Sequence, residues 1–429
     1  MTAAGTLRAQ QAAAPVQVPT VTLSEAISLA LRDHPSIVQA QASLTNATSL
    51  KRVALASWLP SLSVSTGVGK SPSNRFNTVT GQSVQVLTPY SGSFGFNSSL
   101  TIFDAGARIF QAKTANAAMA SAEAGVVTQR FSVALQTKQQ FYNALAAAEL
   151  ERVQRTSQQR AEENLKIARS KLAAGSAVRS DTLTATVAVG QAKLQVLNAQ
   201  TARTNAEAQL ARLIGFDKPV KAVGDSSVFA VSAVDTTGLR AEAMSRAPTI
   251  LQAAASLRTQ EASVSQARVA YFPTLGASYS NSRNASAASF GSALDYGAMN
   301  PTWNLSLSVS FQLFNGLRRE QTLWNANAAR DAAAATADDA RRNINAQVTL
   351  YLSQLQATET RIGIASASRE AASEALRVQS ERYRLGAATI VEVLQAQQQL
   401  DQSEVDAVQA RVDHQVARAQ IEAILGRAL

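Results

Sequence analysis

The second half of this chain restates the first. Pro248 in RAPTILQAAASL lies 213 residues after Pro35 in DHPSIVQAQASL, and Pro273 in Tyr271-Phe272-Pro273 lies 213 after Pro60 in Trp58-Leu59-Pro60. Further on, Phe103-Asp104-Ala105-Gly106-Ala107-Arg108 answers Phe314-Asn315-Gly316-Leu317-Arg318. Gly386 in RLGAATIVEVL lies 211 residues after Gly175 in AAGSAVRSDTL, and Gly426 in Ile424-Leu425-Gly426 lies 211 after Gly215 in Leu213-Ile214-Gly215. Landmarks kept in one order with so small a drift mark a duplication, so the fold must be one unit built twice.

Each unit reads as the same series of elements. Residues 1–21 are expected to form a flexible segment, and Thr22-Leu23-Ser24-Glu25 is a capping box that opens a short helix to about Arg32. Pro35 suits the first turn of a second helix running to Trp58 and ended before Pro60. The period then falls to two. Leu62, Val64 and Val68 alternate with small polar residues, and Phe94, Phe96, Leu100 and Ile102 do the same on the return, which predicts strands over about 61–70 and 93–103. In the second unit Leu275, Ala277 and Tyr279, then Trp303, Leu305, Leu307, Val309, Phe311 and Leu313, predict strands over about 274–281 and 302–313. Each segment spans about 10 residues, the length that a tilted membrane strand needs. Polar stretches near residues 71–92 and 281–301 are expected to be surface loops.

After each hairpin comes a stretch without proline, about 107–172 and 317–384, which at 1.5 Å per residue would reach on the order of 100 Å as one helix. Gly175 and Gly386 are the turn glycines that reverse the chain into return helices, about 178–214 and 389–425. In the last of these Leu394, Val405, Val408, Val412 and Val416 recur at coiled-coil spacing. The domain boundaries that follow are 22–215 for the first repeat, 216–237 for a linker and 238–429 for the second repeat.

Composition narrows the function. With 46% hydrophobic residues but only 5% aromatics, the chain is rich in small side chains suited to close helix contact. It has no cysteine, which removes disulfides, thiolate metal sites and cysteine nucleophiles, and which fits an oxidising compartment. The net charge of +10 is spread along the helices with no dense basic run among aromatics, so nucleic acid is not an expected partner. His34 and His414 lie far apart, and no glycine-rich phosphate loop or HExxH motif is present. Neither an enzyme, nor a metal site, nor a cofactor is expected. No apolar run reaches 18 residues, so no transmembrane helix is expected. The first 20 residues lack the apolar core of a secretion signal, and AQQAAAP from Ala9 to Pro15 reads as a remnant of a trimmed leader.

Four amphipathic strands cannot close a barrel, and an open sheet cannot cross lipid with unpartnered edges. Other subunits must complete it. Both hairpins enter and leave on one side, so the long helices project to one side of the membrane. A soluble coiled-coil adaptor or scaffold is the alternative, and the paired amphipathic strands argue against it.

The chain resembles the TolC-like outer-membrane efflux protein family over nearly all of residues 22–427. Its most specific marks are LSEAISLALRDHP at Leu23–Pro35, RYRLGAATIVEVLQAQQQL at Arg382–Leu400 and the terminal ILG. The resemblance implies a mainly α fold with a β-barrel portion. A homotrimer would form a 12-stranded outer-membrane barrel, continued by an α-helical barrel through the periplasm toward an adaptor and an inner-membrane pump. Cargo would pass from a tripartite efflux or type I secretion system without chemistry. It also implies a periplasmic gate in which Tyr383 donates to Asp181, Glu392 forms a ring around the axis, and Gly175 and Gly386 mark turns facing the adaptor. The family's gate arginine is replaced by Ala388 and its second acidic position by Gln395, while Arg384 and Arg179 lie close enough in sequence to substitute for the arginine. Trp58, Tyr271 and Trp303, at strand ends, are candidates for a membrane-interface aromatic belt; core packing at the helix-to-strand junction explains them nearly as well.

Overall fold

The computed structural model describes residues 19–70, 73–77, 81–86, 90–224, 238–427 and 429. The expected N-terminal segment up to residue 18, and residues 225–237 of the expected linker, lie outside the described residues.

The duplication reappears in the element lengths. Helices α2 (Pro35–Ala56) and α6 (Pro248–Val269) have 22 residues each. Helices α3 (Ala107–Ala173) and α8 (Arg318–Arg384) have 67 each, and the return helices α4 (Arg179–Ile214) and α9 (Ile390–Leu425) have 36 each. The short helices α1 (Leu23–Asp33) and α5 (Leu239–Arg246) open the two repeats. The Thr22 capping box is formed, with Glu25 accepting from the Thr22 N–H at 2.9 Å.

The chain divides into two compact units that cut across the repeats. One comprises Met1–Ala42, Ala124–Leu251 and Asp339–Leu429, the other Ser43–Glu123 and Gln252–Asp338. The first unit holds two apolar clusters, one around each short helix. Ala26 and Ala30 of α1 pack with Val133, Phe141, Leu210 and Ile214, while Ala243 of α5 packs with Ile344, Val348, Ile421 and Ile424. Alanine on the short helix lets it sit close against the long pair. A two-residue strand β1 (Thr20–Val21) pairs in parallel with β6 (Lys221–Ala222) and ties the chain's start to the segment between repeats.

The second unit holds a four-stranded antiparallel sheet in the order β2-β5-β7-β8, from β2 (Ser61–Gly69), β5 (Tyr90–Phe103), β7 (Thr274–Ala287) and β8 (Asn300–Ser310). Its polar ends depart from the expected loops. β5 starts at Tyr90 rather than 93 and pairs with β7 as far as Ala287, so much of the expected 281–301 loop is strand. Within the expected 71–92 loop β3 (Ser73–Asn77) pairs antiparallel with β4 (Gln82–Val86), while residues 71–72, 78–80 and 87–89 lie outside the described residues. The outer part of β7, NSRNASA, has no large apolar residue to alternate with its polar ones, yet the ladder continues through it because β5 supplies partners. At the other end β8 stops at Ser310, leaving Phe311 and Leu313 exposed beyond the strand.

Candidate functional site

Cross-strand partners share a face, so the sheet register sorts every side chain onto one of two surfaces. On one lie Trp303, Leu305, Leu307 and Val309 of β8, paired with Asn281, Tyr279, Ala277 and Leu275 of β7. The same face continues through Leu100 and Phe96 of β5 to Leu62 and Val64 of β2. Trp303 is 69% exposed, Leu305 67%, Leu307 68% and Val309 72%. An apolar surface this wide and this bare requires a nonaqueous neighbour.

The opposite face is polar throughout. It carries Ser61, Ser63 and Ser65 of β2, Asn97, Ser99 and Thr101 of β5, Ser278, Ser280 and Ser282 of β7, and Asn304, Ser306 and Ser308 of β8, with glycines between. Its hydroxyls bond across strands, Ser61 Oγ to Ser99 Oγ at 2.6 Å and Ser278 Oγ to Ser306 Oγ at 2.7 Å. Neither the outer edge of β2 nor that of β8 has a partner among the described residues. The sheet is thus apolar on one side, polar on the other and open at both edges.

The β7–β8 connection folds back over the apolar face at its far end. Phe290 of α7 (Phe290–Ala293) meets Tyr90 edge-on with ring centroids 6.1 Å apart, and Tyr296 meets Phe94 at 5.2 Å. Gly92 is required beneath it, since a Cβ there would lie 1.7 Å from the Ala293 carbonyl oxygen.

Of the three candidate interface aromatics, Trp303 stands on the exposed apolar face, while Trp58 and Tyr271 sit where the helices meet the sheet. There a module missed by sequence reasoning occurs twice. Arg108 stacks on Trp58 at 4.4 Å and donates to the Ile102 carbonyl; Arg319 stacks on Tyr271 at 4.3 Å and donates to the Gln312 carbonyl. Asp104 and Asn315 accept the backbone N–H of the arginine four residues on, at 3.1 and 3.4 Å. The identical spacing after each hairpin was the available signal. The arginine pins strand to helix, and its positive charge on the ring face strengthens the stack.

At the helix tips the two turns share one backbone. Gly175 (φ +73°) and Gly386 (φ +82°) take the left-handed conformation, and Ser176 N–H bonds to Lys171 C=O at 2.9 Å as Ala387 N–H does to Arg382 C=O at 2.8 Å. This is a Schellman closure in both copies.

The side chains differ. Tyr383 is 4% exposed, packed with Ile390 and Val393 and flanked by Ile167 of α3. The expected hydrogen bond from Tyr383 to Asp181 is not formed, for the phenol oxygen has no partner in the structure. The ring is held by packing instead. Lys171 Nζ lies over it at 4.2 Å and donates to the Tyr383 carbonyl, a contact that sequence reasoning missed because it joins different repeats. Burial, and secondarily the charge of Asp181, push the Tyr383 phenol pKa up. Glu392 accepts from the Thr389 N–H at 3.2 Å and hydroxyl at 3.0 Å, closing a capping box on α9. Arg384 pairs with Glu381 one turn back on its own helix rather than with α4.

Deeper between the repeats, Arg160 of α3 donates to Asp401 at 2.8 Å and to Glu404 at 2.8 Å on α9, while Ser157 bonds Asp401 at 2.5 Å and Asn164 bonds Gln397 at 2.9 Å. Burial raises the Asp401 carboxyl, against the opposing pull of Ser157 and Arg160. The facing stripes 157-160-164 and 397-401-404 were visible as helical spacing, but nothing in the sequence paired them.

The sequence profile of the outer membrane efflux proteins matches residues 26–216 and again 239–427, one match per repeat. The chain belongs to the outer membrane efflux protein family. It is 26% identical over 414 residues to the pyoverdine export outer membrane protein OpmQ of Pseudomonas aeruginosa, covering 95% of this chain and 84% of that one. Protein CyaE of Bordetella pertussis is 26% identical over 418 residues, covering 94% and 81%. Among solved structures, the outer membrane protein VceC of Vibrio cholerae superposes with a TM-score of 0.77 at 20% identity, over 95% of this chain and 96% of that one. As an outer membrane efflux protein, the chain is an efflux or secretion channel of the outer membrane. Among the described residues no helix is long and apolar enough to cross a membrane.

Proposed function

We propose that three copies close this sheet into one 12-stranded barrel, β8 of each against β2 of the next, with the serine face inward. The long helices then continue the duct through the periplasm to an adaptor and an inner-membrane pump, whose cargo passes without catalysis or cofactor. The observation that carries this reading is the two-faced sheet with both edges unpartnered. Detergent-extracted protein should run as a trimer by native mass spectrometry, and a monomer or dimer in every mild detergent would end the proposal. Deletion of the gene should raise susceptibility to the pump's substrates.

The tips form the gate, through packing rather than through a tyrosine-to-carboxylate bond. Tyr383 is the plug that joins the second tip to α3, with Asp181 the nearby charge and Glu392 the acidic position of the axial ring; Gly175 and Gly386 shape the turns offered to the adaptor. Three glutamates around one axis favour cations. Glu392→Gln should weaken block of the reconstituted channel by multivalent cations, and unchanged block would remove Glu392 from the ring.

A further inference from the structure

The polar face of the membrane sheet carries no charge at all. Along all four strands every residue on it is serine, threonine, asparagine or glycine. Among the described residues, Arg283 and Lys70 beside it lie on the other side. Arg283 of β7 pairs across from Phe94 and stacks on Tyr296 at 4.2 Å, and Lys70, just past β2, lies over Tyr90 at 4.9 Å, both on the apolar face.

We propose that this face makes the barrel section of the duct indifferent to the sign of its cargo's charge, so that cationic, anionic and zwitterionic polar solutes cross it on equal terms. The inference rests on the reading of that face as the lumen wall. A fixed charge in a narrow conduit with low-dielectric walls concentrates counter-ions and excludes co-ions. Hydroxyls and carboxamides both donate and accept, so they solvate either sign, and a sheet adds almost no net dipole of its own. Discrimination by charge is therefore left to the helical part of the chain, where the ionisable residues are concentrated.

The chain has no cysteine, so single-cysteine variants report one position each. Ser63→Cys and Ser280→Cys place a thiol on the polar face and Leu305→Cys one on the apolar face. Full-length protein in outer-membrane vesicles is reacted with small membrane-impermeant methanethiosulfonates of positive and negative charge, each rate being normalised to a free thiol. Both polar-face thiols should react with both reagents, with normalised rates within about threefold of each other, and Leu305→Cys should stay unreactive. Adding Asn97→Asp, directly across from Ser280, should raise the cation-to-anion ratio at Ser280→Cys by about tenfold or more. A ratio skewed about tenfold without that carboxylate, or one unmoved by it, overturns the inference while leaving the lumen reading intact. If Leu305→Cys reacts and the two polar-face thiols do not, the lumen reading itself is wrong and the inference falls with it.

Discussion

The two helix tips have the same backbone and opposite packing. Val178 and Thr389, the residues that start the return helices, sit at φ −95°, ψ 155° and φ −94°, ψ 158°. Yet Tyr383, Ile390 and Val393 of the second tip are buried, whereas their repeat equivalents Leu172, Arg179 and Thr182 are exposed or half-exposed. Thr389 caps its helix and Val178 caps nothing. Duplication has therefore kept what the turn geometry demands and released what it does not. The second tip became a small core docked on α3, and the first stayed a solvated turn.

The sharpest way to break that contrast is Tyr383→Ala. It removes a buried ring from a cluster with no other aromatic and should cost about 3 kcal/mol locally, read as faster amide exchange over residues 383–393 and as a leakier reconstituted channel. Tyr383→Phe should be within about 0.5 kcal/mol of the parent, since the hydroxyl has no partner to lose. Leu172→Ala, at the equivalent place in the first tip, should change little. Equal losses at Tyr383 and Leu172 would erase the difference.

The turn glycines should behave alike. A Cβ at Gly175 or Gly386 meets nothing within 4 Å, so Gly→Ala at either costs only the left-handed conformation, about 1–2 kcal/mol. A large disparity between them in tip exchange would mean that side-chain packing reaches the turns. Smaller again is the cap. Thr389→Ala should cost about 1 kcal/mol, and Val178→Thr, set on an already matching backbone with Asp181 three residues on, should stabilise the first tip by roughly half that. No gain at Val178→Thr would show that the capping box alone does not distinguish the tips.

What the sequence disclosed follows from how local each signal is. The repeat, the long helices and the tip glycines are fixed by spacing, proline placement and φ, all readable along the chain. The strand β8 announced itself because large apolar residues alternate with serine. The outer part of β7 did not, because Ser282, Asn284 and Ser286 alternate with residues that give no matching apolar stripe. The β1–β6 pair joins residues some 200 positions apart and leaves no local trace. Tyr383 was found by resemblance, but its environment is set by Lys171 and Ile167 from the other repeat, so its true contact could be read only in three dimensions.

The contrast between repeats extends up the coils, where it predicts the smallest effect. His414 of α9 occupies the place that Arg203 holds in α4, 211 residues earlier. Arg203 is bonded to Glu207 at 2.8 Å and to Glu151 at 3.0 Å. His414 is buried, with Nδ1 at 3.4 Å from the Thr358 hydroxyl and Nε2 unpartnered. Burial lowers its pKa, Arg418 adds to the fall and Glu359 opposes it. The folded state thus favours the neutral ring. Its contribution is complete above the ordinary histidine value of about 6.5 and is lost as pH falls through the lowered folded value. Burial disfavours the Glu151 carboxylate, but Arg155 and Arg203 outweigh that and hold its carboxyl below the usual range, so the first coil keeps its network at any pH above the ordinary glutamate range. Acidification from about pH 7 to 5 should therefore lower amide protection, taken relative to the unstructured exchange rate at each pH, around His414 and Thr358 while leaving protection around Arg203 unchanged. His414→Leu should abolish the response. A pH response shared equally by the two coils, or one that survives His414→Leu, would place the sensitivity elsewhere and leave the repeats alike at this level.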